Sequence, residues 1–190
     1  MLNISIVLTT TLLLLAGCAL TPIQLEDRTS DPLATKQIRA SSLLVVDLSK
    51  PSNASDDPLF STGFSRLPDR YFFGSVGETL KKSLQRAVTA SGEGKELDIW
   101  ILDVGFHIEI VGSDHVPIIN WFPNSTRRFM CAALITAKSG RRSETVRVEQ
   151  IIPIATEGKG EGDDPLRATI RTCYAGLVPK VVAKIGDLAN

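Results

Sequence analysis

The sequence predicts an α+β fold, in which about four largely antiparallel strands form a sheet with two helices packed on one face. Three observations predict this class. Strand-like apolar segments begin near residues 42 and 96, a hairpin pattern follows between residues 128 and 152, and segments beginning near residues 75 and 165 have helical periodicity. The resulting order is strand, helix, three strands, helix.

The N-terminal segment predicts export. Residues 4–17 are uncharged and mostly apolar, and about 14 residues are too few to cross a bilayer core of roughly 30 Å. Their length is typical of the apolar region of a signal peptide, although residues 1–3 lack the usual Lys or Arg. The alternative is a buried strand or helix that ends on an ordinary core cysteine.

The segment ends in Leu15, Ala16, Gly17 and Cys18, which resembles the lipobox of bacterial lipoproteins. The resemblance implies recognition of residues 15–17 by a signal peptidase, cleavage before Cys18, a lipid joined to its thiol by a thioether bond, and acylation of the new amino terminus. No cofactor is expected. Several acyl chains at one terminus hold a membrane stably. Ala19, in place of Asp, favours the periplasmic side of the outer membrane by analogy with lipoprotein sorting.

The mature chain is expected to contain a tether and one domain. Residues 18–39 include Pro22 and Pro32 without apolar periodicity, which predicts a flexible tether behind the lipidated cysteine. Residues 40–190 have the length of a single domain. The 21 basic and 21 acidic side chains balance, which argues against nucleic acid as a partner. The expected partner is the membrane, reached through the lipid.

The first strand is expected over residues 42–49, where Leu43, Leu44, Val45 and Val46 form a continuous apolar run typical of a strand covered on both faces. Residues 50–70 are dense in Pro, Ser, Asp and Gly, which predicts a loop of about 20 residues. A loop of this length is usually functional or disordered.

The first helix is expected from Ser75, which forms a capping-box pattern with Glu78, to a terminator at Gly92. Its apolar stripe consists of Val76, Leu80, Leu84, Ala87 and Val88.

The next strand changes phase. Apolar residues fall on odd positions up to Ile101 and on even positions from Leu102 onwards. Alternation cannot change face without an irregularity, so a β-bulge or bend is expected between Ile101 and Asp103.

Two further elements complete the domain. A hairpin is expected with strands at 128–137 and 143–152 and a turn at 138–141. The last helix is expected to begin at Pro165, and Pro179 is expected to kink or divide it.

This pattern from residue 40 to residue 187, with a hairpin of the type "AALITAKSGRR", resembles the YajG-type family of small bacterial lipoproteins. The lipopolysaccharide-assembly lipoprotein and auxiliary lipoproteins of lipid-transporting ABC systems are similar in gross layout. The resemblance implies a place and a shape, and it transfers no catalytic residue to this chain.

Few residues suggest chemistry. Asp103, His107 and Glu109 share one face of a strand, with Asp114 and His115 in the loop beyond, and imidazole and carboxylate groups suit zinc. The alternative is the solvent-facing side of a half-buried strand, and we expect this one, with no metal and no catalytic residues. No nucleophile elbow, phosphate-binding loop or dinucleotide fingerprint is present in the sequence.

Cys131 and Cys173 both lie on apolar faces that point into the layer between helix and sheet. In an oxidising periplasm they could pair as a disulfide. The alternative is two buried thiols that never meet, since the sequence does not supply the distance between their Cα atoms.

The segment "VPIINWFPNSTRRFM" carries a cluster of apolar and basic residues between two strands. An exposed apolar loop favours a docking surface for a partner, a lipid chain or the membrane. The alternative is that its aromatic side chains fold back on the core or begin the next strand. The expected docking residues are Ile118, Ile119, Trp121, Phe122, Arg127 and Arg128.

Together these observations favour a non-enzymatic, lipid-anchored envelope lipoprotein that acts as an accessory or interaction module. The first alternative is a lipid-binding component of an envelope transport or assembly system, with an acyl groove between sheet and helices. The second is a metal-dependent periplasmic enzyme that uses His107, Glu109 and His115.

Overall fold

A computed structural model describes residues 22–25, 38–50, 64–90, 92, 94–109, 128–154 and 165–189. The α+β class is confirmed. The helices of this part of the chain are α1 (Val76–Ala87) and α2 (Pro165–Ala189), and a short 3₁₀ turn spans Asp69–Tyr71. The strands are β1 (Ile38–Ala40), β2 (Ser42–Asp47), β3 (Phe64–Arg66), β4 (Val88–Ala90), β5 (Glu96–Glu109), β6 (Arg128–Ser139) and β7 (Arg142–Pro153).

The main sheet has the order β2, β5, β6, β7. β2 runs parallel to the first half of β5, whereas β6 and β7 continue the sheet in antiparallel fashion. β3 pairs antiparallel with the last three residues of β5, on the edge that β2 leaves open. β3 lies inside the segment that was predicted to be a loop. The sequence did not indicate this strand, because three residues are too few to show an alternation with a period of two.

A second, two-stranded sheet joins β1 to β4 in parallel. The expected tether ended at residue 39, yet β1 already begins at Ile38, which is 7% exposed. Val88 was expected on the helical stripe and instead begins β4 with φ −109° and ψ 123°. The strand conformation is set by pairing with β1, a contact across fifty residues that helical periodicity does not reveal.

The bulge in β5 is confirmed. The pairing of β5 with β6 shifts between Ile101 and Asp103, so Leu102 has no opposite residue. Ile101 and Val104 consequently both face the helices, at 0% and 2% exposure.

Both helices pack on one face of the sheet. Ser75 caps α1 by accepting a hydrogen bond from the Glu78 N–H at 3.2 Å, which confirms Ser75 as the N-cap. α1 packs mainly on β2 and β5, and α2 on β6 and β7. Pro179 lies within α2 without dividing it. Neither helix is long and apolar enough to cross a membrane.

The core lies between this face and the helices. Phe106 of β5 stacks on Phe72 at 4.7 Å between ring centroids and lies 6.3 Å from the ring of Tyr174 in α2. The hairpin between β6 and β7 turns at residues 140–141, where Gly140 has φ +61°, and this conformation favours glycine. The sheet and the two helices thus form two layers that enclose one hydrophobic core.

Candidate functional site

The chain near its N-terminus is attached to the domain at Ile23. The Ile23 N–H donates to the Tyr71 carbonyl at 2.7 Å, and its carbonyl accepts from the Phe73 N–H at 2.9 Å. The Ile23 side chain is 6% exposed and belongs to the core. Residue 23 is therefore part of the folded domain, although it lies inside the segment expected to be a flexible tether.

The attachment point is bordered by an exposed aromatic residue. Phe73 is 73% exposed, whereas its neighbour Phe72 is buried against Phe106. After Phe73 the chain passes through Gly74, whose φ of +79° favours glycine, into the cap of α1. The segment thus buries one aromatic ring and presents the next to the surroundings.

A cavity of about 290 Å³ lies beside this segment, at the start of α1. Its lining includes Ser49, Lys50, Gly74 and Ser75. Lys50 is exposed. An exposed basic side chain therefore borders the same cavity as Gly74 and Ser75, which directly follow Phe73 in the chain.

The first turn of α1 already has a negative group from its own chain. The Asp47 carboxylate accepts hydrogen bonds from the Ser49 N–H at 2.9 Å and from the Ser75 hydroxyl at 3.4 Å. A Cβ at Gly77 would collide with the side chains of Asp47 and Ser49, so glycine lets the carboxylate approach the helix. An acidic group at this end of a helix is favoured by the helix dipole.

The opposite face of β5 holds a buried ion pair. Both terminal nitrogens of Arg66 donate to the Asp103 carboxylate at 3.0 Å, and Arg66 also donates to the Val104 carbonyl at 2.8 Å. A Cβ at Gly105 would lie 3.0 Å from the Arg66 guanidinium carbon and 2.8 Å from the His107 ring. The absence of a side chain at residue 105 makes room for both groups.

The expectation that this side of β5 faces solvent is wrong for two residues, since Asp103 is 8% and His107 0% exposed. β3 places Arg66 directly opposite His107, and the local sequence of β5 does not indicate this pairing. Within the described ranges no three His, Cys, Asp or Glu side chains are placed to hold a metal ion. Asp114 and His115 lie outside those ranges.

Glu109 and Arg128 form an exposed ion pair where β5 ends and β6 begins. The Arg128 Nε donates to both Glu109 carboxylate oxygens at 3.0 Å, and the Arg128 backbone N–H donates at 3.1 Å. These hydrogen bonds lower the pKa of Glu109, and the same pair raises the pKa of Arg128. Of the expected docking residues, Arg128 therefore holds together the two strand ends from which the loop leaves and returns.

Cys131 and Cys173 are joined as a disulfide, and their Cα atoms lie 6.0 Å apart. β6 and α2 contribute one cysteine each, so the bond ties the last helix to the centre of the sheet. Both residues are fully buried. The two cysteines are 42 residues apart in the sequence.

The remaining predicted site residues lie outside the described part of the chain. They are Leu15, Ala16, Gly17 and Cys18 of the lipobox, and Ile118, Ile119, Trp121, Phe122 and Arg127 of the docking loop.

No protein-family model matches the sequence, and a search of curated proteins finds no significant match.

Two features of the site were missed by the sequence analysis. The first is the burial of Ile23. The only sign of it in the sequence is that Ile23 is apolar, although the surrounding segment is otherwise typical of a tether. Arg66 lay in a predicted loop, and its partner Asp103 lies 37 residues away. No local pattern in the sequence indicates that pair.

Proposed function

We propose that this protein is a non-enzymatic lipoprotein, anchored through a lipid on Cys18 and acting as an accessory or interaction module on the periplasmic side of the outer membrane. The lipobox of residues 15–18 supports the anchor, and Ala19 supports the outer membrane. The resemblance to the YajG-type family is consistent with the same place.

The observation that carries the proposal is the disulfide between Cys131 and Cys173. Such bonds form and persist in oxidising compartments such as the bacterial periplasm, and they are rare in the cytosol. An exported lipoprotein would meet that condition. The bond and the N-terminal segment are independent features of the chain, and both favour export.

The packing of the domain favours an interaction module over a lipid carrier. The lipid-handling alternative expects an acyl groove between sheet and helices. In the described residues that layer is occupied by the chain's own side chains, among them Phe106, Ile135 and Leu177, each at most 1% exposed. Binding is therefore proposed at the surface of the domain.

The docking loop is the proposed contact with a protein partner. Its ends belong to neighbouring strands, and Arg128 pairs with Glu109 across them. The segment between these strand ends carries Trp121 and Phe122. Aromatic side chains are enriched among the residues that dominate binding energy at protein interfaces.

Mass spectrometry of the protein purified from its native membranes tests the anchor. We expect a mature chain that begins at an acylated Cys18, and the Cys18→Ala variant is expected to remain unacylated. An intact chain that retains Met1 without lipid would overturn the proposal.

Gentle crosslinking before purification tests the docking loop. We expect one partner to disappear when Trp121 and Phe122 are both changed to Ser, and a partner that persists would overturn the docking role.

A further inference from the structure

The position of Ile23 limits how far the domain can lie from Cys18. Four residues separate the two positions in the sequence. Five Cα-to-Cα steps cover at most about 18 Å, even when the chain is fully extended. A free tether over residues 18–39 would instead reach about 75 Å. Because Ile23 is hydrogen-bonded and buried in the domain, the shorter limit applies.

The short connection also selects which side of the domain is nearest to the lipid. Ile23 forms its two backbone hydrogen bonds with Tyr71 and Phe73, so the 3₁₀ turn and the residues after it must lie close to the acylated terminus. The exposed ring of Phe73 is one residue from the buried Phe72 that pairs with Ile23. The Cα atom of Cys18 therefore lies within about 18 Å of Ile23, whose carbonyl accepts a hydrogen bond from the Phe73 N–H.

The chemistry of this side fits a lipid surface. Phe side chains insert roughly 5–10 Å into the boundary between headgroups and acyl chains, and Lys is attracted to anionic headgroups. Phe73 is 73% exposed, and Lys50 is exposed at the rim of the cavity that Gly74 and Ser75 also line. These two residues, Phe73 and Lys50, are called the Phe73 face below.

We propose that the Phe73 face lies against the bilayer that holds the lipid of Cys18, with the Phe73 ring inserted at the level of the headgroups. The inference rests on the proposed lipid anchor. It adds a second point of contact and gives the domain a fixed orientation. The domain then lies on the membrane instead of moving freely above it.

Quenching of fluorescence by brominated lipids tests the orientation. The mature chain from Cys18 onwards is coupled through the Cys18 thiol to a maleimide phospholipid in phosphatidylethanolamine and phosphatidylglycerol vesicles, with or without brominated acyl chains. Coupling is selective because the other two cysteines form the disulfide. Phe73→Trp is compared with Leu44→Trp, since Leu44 is 50% exposed but pairs in register with Asp98 on the helix-free face.

We expect the added tryptophan of Phe73→Trp to be quenched at least about twofold more than that of Leu44→Trp, after subtraction of the parent chain. Equal quenching would overturn the proposal and would leave a protein partner as the occupant of the Phe73 face. A flexible spacer of about 20 residues between Ala19 and Leu20 is expected to reduce the difference, because its reach exceeds the limit set by the short connection. An unchanged difference would overturn the role of that connection.

The same experiment separates this inference from the proposed function. Chemical coupling does not depend on acylation by the cell, so the vesicle measurement reports only on the geometry of the Phe73 face. Acylated Cys18 in native membranes together with equal quenching would retain the anchor and overturn the orientation. A native chain without lipid would overturn both, whatever the quenching.

Discussion

Arg66 and Asp103 illustrate how single residues stabilise this fold. The two groups are buried, and the carboxylate also accepts a hydrogen bond from the Val104 N–H at 2.8 Å. The gain from burying an ion pair is small, but removal of one partner leaves the other charge without compensation in a medium of low polarity. Replacing only one of the two residues is therefore expected to destabilise the fold more than replacing both with apolar residues.

We expect Asp103→Asn to lower the free energy of unfolding by about 3 kcal/mol, because the Arg66 guanidinium would then be buried beside a neutral amide. The double variant Arg66→Met with Asp103→Leu is expected to recover most of that loss. Glu78→Gln, which breaks an exposed pair with Lys81, serves as the control at less than about 1 kcal/mol. Urea unfolding measures all three, and a loss below about 1 kcal/mol for Asp103→Asn would contradict the expectation.

Two glycines offer a matched test of local space. A Cβ at Gly105 would meet the Arg66 and His107 side chains at 3.0 and 2.8 Å, whereas a Cβ at Gly186 would be 3.6 Å from Ile38, an ordinary contact. We expect Gly105→Ala to destabilise the fold by about 1–3 kcal/mol. Gly186→Ala lies in α2 and is expected to stabilise it by up to about 1 kcal/mol. Thermal unfolding measures both variants. A change of the unfolding midpoint in the same direction for both would contradict this explanation of the two glycines.

At the scale of elements, the disulfide connects the last helix to the sheet, and the Glu109–Arg128 pair connects two strand ends. The first link constrains the unfolded chain over a long loop. The second depends on charge at the surface, where solvent screens it. The two links are therefore expected to respond to different conditions, namely reduction and low pH.

Loss of the disulfide is expected to lower the free energy of unfolding by about 2–4 kcal/mol, since its loop spans 42 residues of separation. The variant with both Cys131→Ala and Cys173→Ala is compared with the wild type, with and without a reducing agent. Only the wild type should respond to the reducing agent. A wild-type midpoint that is insensitive to reduction would argue against the bond in solution.

The Glu109–Arg128 pair predicts a pH dependence. The pKa of Glu109 is lowered in the folded chain, so the pair stabilises the fold above about pH 4.3, the ordinary value of an unfolded glutamate. This contribution is lost as the pH falls through the lower, folded value. The stability difference between wild type and Glu109→Gln is expected to be small at pH 7 and to vanish at pH 2. A difference that grows on acidification would contradict the sign.

At the scale of the whole molecule, Ile23 joins the N-terminal segment to the core. Its side chain is 6% exposed, so Ile23→Ala is expected to cost about 2 kcal/mol in the free energy of unfolding. Leu44→Ala is the control, because Leu44 is 50% exposed and should change stability by less than about 0.5 kcal/mol. Chemical denaturation of both variants tests this, and equal effects would show that the segment is not part of the folded unit.

The sequence alone determined the features that depend on neighbouring residues. Alternation that changed phase at Ile101 predicted the bulge, and Ser75 with Glu78 predicted the cap of α1. The antiparallel hairpin and the α+β class followed from the same local periodicities. Each of these patterns extends over a few residues, which is the range in which backbone geometry repeats.

Only the tertiary structure decided which distant residues meet. β3 paired with the end of β5 and buried Asp103 and His107, and Ile23 joined the core from a Pro-rich segment. The distance between Cys131 and Cys173 likewise depends on how α2 lies across β6. Contacts of this kind depend on chain segments that are far apart in sequence, and they form because burial and pairing outweigh local preference.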